Sequence, residues 1–353
     1  MIGSKLRVAV DAWNLPHDRR GIGRYVRAIV DSWQRNAADR VTPTLIIPEW
    51  PAWLHAAPYR AQLPSGRLPI AHRNAARPGR FDVAWFPWNG MSWTTDLVSV
   101  ATLHDASLFE LPPSDAAAAK RERAPFLLAA ERARRVITDS EYSKAELERH
   151  IRLPAANIDV VHLGVDPHLT AKPALFDGVR RYLLFVGEPE PRKGLDLFLA
   201  AAKQLPDSSQ DGLAIVLVGR GTAMLDDASR RPRVIGLGPV SDERVASLYA
   251  GAAAVVYPSS YEGFGLPVLE AMAAGAPVIA SDASAIPEAG GDAALYFRSG
   301  DEQQLTGAIN LVLSDPMKQA DLRERGLRRA ATMTWDRAAE ATLAILAKAA
   351  AAA

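Results

Sequence analysis

The chain has 353 residues, long enough for two domains, and its 48% hydrophobic and 23% charged content excludes gross disorder. It has no cysteine, which excludes disulfides, thiolate nucleophiles and cysteine zinc sites and fits a reducing cytoplasm. A net charge of +1 disfavours a general nucleic-acid binder.

Strand and helix patterns alternate along the chain. Strands are expected at Leu6–Val10, Thr44–Ile47, Val83–Phe86, Ser99–Leu103 and Val136–Thr138. A second set is expected at Tyr182–Val186, Ala214–Val218, Val234–Leu237, Ala254–Tyr257, Val278–Ala280 and Ala294–Phe297. Helices fall between most of them, which implies α/β folding with parallel sheets covered on both faces. The pattern breaks at His168–Gly178 and then restarts. Two doubly wound domains are therefore expected, 1–172 and 173–334, with a final helix from Trp335 to Ala353 able to pack on the first. Residues 1–172 hold 23 Lys/Arg against 18 Asp/Glu, while 173–353 hold 18 against 22. A basic first half suits an anionic membrane face or a phosphorylated acceptor, and ordinary scatter of surface charge explains it equally well. No apolar run at the start is long enough for a leader or a membrane span.

In such domains ligands bind beyond the carboxyl ends of the strands, where most of the unusual residues here fall. The loop after the first strand is Arg19-Arg-Gly-Ile-Gly-Arg-Tyr25, ahead of a helix over Tyr25–Trp33. Gly21 and Gly23 permit close backbone approach, but a third glycine of a dinucleotide fingerprint is missing. His104 and Asp105 end a first-domain strand, and a neutral His104 there suits a sugar or acceptor hydroxyl. Ser143-Lys-Ala-Glu146 matches a helix capping box.

In the second domain, Val186-Gly-Glu-Pro-Glu-Pro-Arg-Lys-Gly leads from a strand into a helix. Arg192 and Lys193 at that helix start are unfavourable unless an anion such as a diphosphate joins them. Gly187 belongs to this loop. Gly219, in Val218-Gly-Arg-Gly221, and Val240, in Gly236–Asp242, lie in loops that suit a nucleobase and ribose or are plain tight turns. The most specific segment is Glu262-Gly-Phe-Gly-Leu-Pro-Val-Leu-Glu270, followed by Ala-Met-Ala-Ala-Gly275. Gly263, Phe264, Gly265 and Leu266 open a helix whose amides suit a diphosphate, and Glu262 and Glu270 suit sugar and ribose hydroxyls. No Asp-x-Asp pair for a sugar-nucleotide metal occurs, and paired cations can replace a metal at a departing diphosphate.

At these residues the chain resembles family 4 of the retaining GT-B glycosyltransferases, most specifically from Val186 to Asp282. The resemblance implies two Rossmann-like domains with a cleft between them and a C-terminal helix, from Thr334-Trp-Asp336 onward, crossing back to the first. It implies a donor-binding second domain, an acceptor-binding first domain and no metal or other cofactor. Glu262 and His104 would meet the transferred sugar, Glu270 the ribose, and Arg192 and Lys193 the diphosphate. Gly21, Gly23 and Asp105 would line the acceptor side. The Glu-Pro-Arg-Lys form is similar to mannosyltransferases, so GDP-mannose is the preferred donor, with a glycan or lipid-linked acceptor as in polysaccharide biosynthesis. Glu188 departs from the family pattern. The basic, partly apolar stretch Lys120–Arg135 suits a peripheral position on an anionic membrane, at the cytoplasmic face, or simply a solvated helix. Trp50, Trp53, Trp85, Trp88 and Trp93 line an acceptor groove or pack a core. The competing functions are a GT-B sugar-nucleotide epimerase or hydrolase, a non-catalytic nucleotide-sugar sensor and, with less support, a nicotinamide oxidoreductase.

Overall fold

The computed structural model describes residues 5–352 apart from 19–20, 64–67, 167–168, 170–171, 175–178 and 180. It divides into two compact units, Met1–Leu163 with Trp335–Ala353, and Gly164–Thr334. The boundary expected at His168–Gly178 lies largely outside the described residues, as do Arg19 and Arg20.

The first unit is built on seven parallel strands: β1 (Leu6–Asp11), β2 (Val41–Ile47), β3 (Ile70–His72), β4 (Val83–Phe86), β5 (Ser99–Thr102), β6 (Arg135–Thr138) and β7 (Ile158–Val160). Their order is β3-β2-β1-β4-β5-β6-β7. The second unit has six: β8 (Arg181–Val186), β9 (Leu213–Val218), β10 (Arg233–Gly236), β11 (Ala254–Tyr257), β12 (Val278–Ser281) and β13 (Leu295–Phe297). Their order is β10-β9-β8-β11-β12-β13. Both are doubly wound sheets in which chain order reverses beside the first strand, between β1 and β4 and between β8 and β11. Runs such as Leu213–Val218 are buried at every position, which explains why they read as continuous apolar stretches rather than alternating ones.

β3 and β7 were not expected. Each is a three-residue edge strand containing a polar residue, too short for a periodic signal. The expected capping box is shifted by one turn. Ser143 lies inside the helix Glu141–Ile151, and Ser140 caps it by accepting from the Ser143 amide at 3.0 Å.

The last helix, Trp335–Ala351, belongs to the first unit. Its buried stripe, Ala338, Ala339, Thr342, Leu343, Leu346 and Ala349, has helical spacing. It packs on the helix Ile22–Asn36, where Trp33 Nε1 donates to the Ala339 carbonyl at 2.8 Å and Ser32 Oγ to Asp336 at 2.7 Å.

Two glycines separate close approach from mere flexibility. A Cβ at Gly219, whose φ is +140°, would stand 2.1 Å from the Gly187 carbonyl oxygen. Gly307, exposed inside the helix Glu302–Ser314, has open space around it. Gly219→Ala is expected to cost about 2 kcal/mol or more. Gly307→Ala is expected to add roughly 0.5–1 kcal/mol. Urea unfolding midpoints of the two variants should move in opposite directions.

Candidate active site

In the second unit, β8 and β11 are neighbours at the reversal of strand order, and the segments that leave them converge. Residues Pro191–Lys193 form a single 3-10 turn after β8, closed by Gly194 in the left-handed region. A Cβ at Gly194 would lie 2.3 Å from the Pro258 carbonyl oxygen, so glycine is what lets the turn lie against the segment after β11. The Arg192 carbonyl accepts from the Ser260 amide at 2.7 Å and from Ser259 Oγ at 3.1 Å.

These contacts bring three donors onto one oxygen. Glu262 Oε1 accepts from Lys193 Nζ at 2.6 Å, Ser259 Oγ at 2.6 Å and Arg192 Nη1 at 3.3 Å. Arg192 Nε also meets Glu190 at 2.9 Å. The cost expected for two cations at a helix start is thus offset by carboxylates of the unit itself. Both cations also precede the helix Leu195–Lys203, lying in the 3-10 turn. The Lys193 and Glu262 side chains are only 14% and 13% exposed, so their attraction is far less screened than a surface pair's. Lys193 Nζ also lies 3.5 Å from Tyr257 Oη. Burial first, and then the Glu262 charge, hold the Tyr257 phenol well above its ordinary pKa, so it stays neutral.

The Glu262 amide donates to Ser284 Oγ at 2.8 Å, which fixes the start of the loop. Gly265, at φ +102°, precedes the helix Leu266–Ala273, and Gly275, at φ +75°, ends it. Phe264 is buried, while Gly263 and Leu266 are half-buried. Glu270 is half-buried on this helix and accepts from Tyr249 Oη at 3.3 Å. Gly187 and Gly219 meet backbone to backbone, and the Gly219 amide donates to the Gly238 carbonyl at 3.0 Å. The loops after β8, β9 and β10 are therefore packed together, with Val240 half-buried in the last. Glu188, whose place the sequence left open, pairs with Arg220 at 3.2 Å on the surface.

In the first unit, His104 is buried and both ring nitrogens are engaged, Nδ1 with Asp139 Oδ2 at 2.8 Å and Nε2 with the Pro87 carbonyl at 3.1 Å. A carbonyl only accepts, so Nε2 carries hydrogen. Burial alone would lower the pKa of His104, but the Asp139 charge and the two acceptors raise it overall. Asp139 is itself raised, by burial first and against the pull of His104, so the pair retains a shared proton above the usual histidine range. Asp105 Oδ1 accepts from the Ser107 amide at 2.8 Å in a local turn. Gly23 is required by packing, since a Cβ there would stand 1.8 Å from the Asp18 carbonyl oxygen. Gly21, at φ +54°, has open space around it. The five tryptophans divide: Trp85 and Trp88 are buried, Trp93 is half-buried, and Trp50 and Trp53 are exposed.

Asp11 was missed, although it ends β1 at the reversal of strand order. It is 1% exposed, and neither carboxylate oxygen has a hydrogen-bond partner. The Trp93 indole and the Arg73 guanidinium approach without closing a bond. Burial pushes Asp11 up to about 6, against their weaker pull. Its signal was an acidic residue closing the apolar run Val8–Val10.

Among the described residues no helix is long and apolar enough to cross a membrane. One group, Glu110, Glu146 and His150, has metal-compatible spacing, and the Arg149 guanidinium lies against both carboxylates.

Two doubly wound units, with an Arg–Lys–Glu cluster where the second sheet reverses, have the architecture of the GT-B class. The family model for Glycosyl transferases group 1 matches residues 170–329, and that for Glycosyltransferase Family 4 matches 19–169. The chain is 31% identical over 264 residues to O-antigen chain mannosyltransferase B of Escherichia coli, covering 69% of each protein. It is 30% identical over 222 residues to MMP alpha-(1->4)-mannosyltransferase of Mycolicibacterium hassiacum, covering 61% of this chain and 54% of that protein. The chain belongs to glycosyltransferase family 4. Its fold matches sucrose-phosphate synthase from Thermosynechococcus elongatus, with a TM-score of 0.72 at 20% identity over 99% of this chain and 100% of that one. It also matches Anabaena Alr3699/HepE in complex with UDP and glucose, with a TM-score of 0.71 at 17% identity over 97% and 100%.

The Asp11 shift has a definite sign. The neutral acid is the form the fold favours, so its contribution is fully present below the unfolded value of 3.8 and is lost as pH rises through about 6. In Asp11→Asn that loss is absent. The stability of the variant relative to the parent should therefore rise by about 2 kcal/mol between pH 4 and pH 7. Urea unfolding at a series of pH values measures it, and a flat difference would show that Asp11 does not titrate in this range.

Proposed function

We propose that the chain transfers a hexose from a nucleotide-diphosphate sugar, without a metal and with retention at the anomeric carbon, to a glycan or lipid-linked acceptor. The observation that carries this reading is the convergence of Arg192, Lys193 and Glu262 beside the helix that opens at Gly265. A diphosphate in reach of Arg192 and Lys193 takes over the charge that Glu262 now neutralises, which frees the Glu262 carboxylate for sugar hydroxyls. Charge developing on the departing diphosphate is then met by two cations and by the amides from Gly263 to Leu266, and no metal is needed for that task. Glu270, held by Tyr249, accepts the ribose hydroxyls. Gly187, Gly219 and Val240 border the nucleotide.

Mannose from GDP is the preferred donor because two relatives are mannosyltransferases by name. A fold neighbour, HepE, was solved in complex with UDP and glucose, which supports a nucleotide-sugar ligand in general and keeps UDP in the test set. Retention is carried over from the family. The acceptor belongs to the first unit, near Gly21, Gly23 and Asp105. A peripheral site at the cytoplasmic membrane face is part of the same proposal. The helix Ala116–Arg132 exposes Lys120, Arg121 and Leu127.

A thermal-shift panel of GDP, UDP and ADP tests the donor site, since a ligand specific to the native state raises the melting temperature. One diphosphate should stabilise the protein, and Lys193→Ala should abolish most of that shift. Sugar transfer should persist in EDTA. Glu262→Ala should lower kcat by roughly a hundredfold or more, the usual scale for loss of one transition-state contact. Unchanged turnover in both variants would remove the site assignment, and nucleotide release that needs no acceptor would favour a hydrolase or epimerase.

A further inference from the structure

The first unit holds two adjoining cavities, lined in part by three of the five tryptophans read above as groove or core residues, Trp50, Trp53 and Trp93. One, of about 360 Å³, is lined by Trp50, Trp53, His72, Arg77 and Arg80. The other, of about 900 Å³, is lined by Arg73, Arg77, Trp93, Asp96 and Arg132. Asn74 and Arg77 border both. Trp50 and Trp53 follow β2, and the run from His72 to Arg80 follows β3, so the smaller cavity lies at the carboxyl ends of these strands, where this fold binds ligands.

Three features of the lining specify an occupant. Trp50 and Trp53 are 74% and 76% exposed, leaving two large flat apolar faces beside the cavity, with Trp50 braced edge-on by His72 at 5.4 Å. Arg77 and Arg80 make no ion pair among the described residues, whereas Arg73 approaches buried Asp11 and Arg132 pairs with Glu131 at 3.0 Å. Deeper in, Arg73 lies over the Trp93 ring at 5.5 Å, and both groups approach the buried Asp11 carboxylate. Flat aromatic faces stack on the apolar face of a pyranose, and guanidinium forks pair with carboxylate or phosphate. The smaller cavity is the size of an ordinary ligand pocket, and its continuation past Asn74 and Arg77 leaves room for further sugars.

We propose that these cavities form one binding site for an oligosaccharide that carries a carboxylate or a phosphate. Naming that oligosaccharide as the acceptor rests on the transferase reading. The binding itself does not.

Isothermal titration of the full chain, with no donor present, tests the site using three probes: an oligouronate, a sugar monophosphate and a neutral mannan oligosaccharide. At least one charged probe should bind, roughly tenfold or more tighter than the neutral one, and which of the two binds identifies the anion. Arg77→Ala should weaken the charged probe about tenfold and leave the neutral one unchanged, whereas Trp53→Ala should weaken both. Both residues are exposed, so the variants retain the fold. No binding of either charged probe, or equal binding of charged and neutral probes with no response to Arg77→Ala, would overturn the proposal. Co-sedimentation with anionic vesicles that Trp50→Ala abolishes, without saccharide binding, would also overturn it, in favour of a lipid surface. Failure of the transferase reading would show instead in the diphosphate panel, through Lys193 and Glu262.

Discussion

A single carboxylate oxygen, Glu262 Oε1, organises the second unit. It accepts from Lys193, Arg192 and Ser259, and so ties the segment after β8 to the segment after β11. Parallel neighbours in a doubly wound sheet share backbone bonds along their length, but the loops that leave them on opposite sides of the strand-order reversal share none by default. Here they are held by the Ser260 amide bonded to the Arg192 carbonyl and by the charge-assisted cluster. Because Lys193 and Glu262 are mostly buried, the dielectric around them is low. Each charge would be costly without the other, which makes the pairing demanding as well as strong.

The cluster depends in turn on close backbone approach. Gly194 lies against Pro258, and Gly219 against Gly187. With a side chain at either position the turns would have to separate, and the cations would no longer reach one oxygen. The glycines in these loops therefore act first on protein packing. Their availability to a diphosphate is a consequence of the same bare backbone.

Much of the fold was legible because parallel strands buried on both faces announce themselves as runs of Val, Ile and Leu, as in Leu213–Val218. β7 was not legible, because Asp159 breaks its apolar run. In the structure both Asp159 oxygens accept from one edge of the Arg135 guanidinium, Nε and Nη2, on the neighbouring strand, which no local pattern reveals. The site divides in the same way. Gly265 and Gly275 bracket a helix that the sequence marks at both ends, and the motif from Glu262 to Glu270 stands out as a unit. The contact of Lys193 with Glu262 joins residues 69 positions apart, and the engagement of both His104 nitrogens depends on Pro87 and Asp139, so neither was readable. Nor were the cavities around Arg77, since their walls come from segments that look like ordinary loops.

Each unit places a carboxylate beside the strand-order reversal of its sheet, in a different electrostatic setting. Asp11 ends β1 and Glu262 follows β11, each beside the strand-order reversal of its own sheet. Glu262 has an ammonium at 2.6 Å, and burial together with the Glu262 charge holds the Tyr257 phenol neutral. Asp11 is more deeply buried, and Arg73 and Trp93 approach it without closing a bond, so desolvation outweighs attraction and lifts it to about 6. The difference lies in donor geometry rather than in residue type. A cation that closes a short bond repays the desolvation of a carboxylate, and one held a little farther away does not. The first unit thus carries a carboxyl group that burial lifts to about 6, while the second carries one whose single oxygen accepts from a pair of cations.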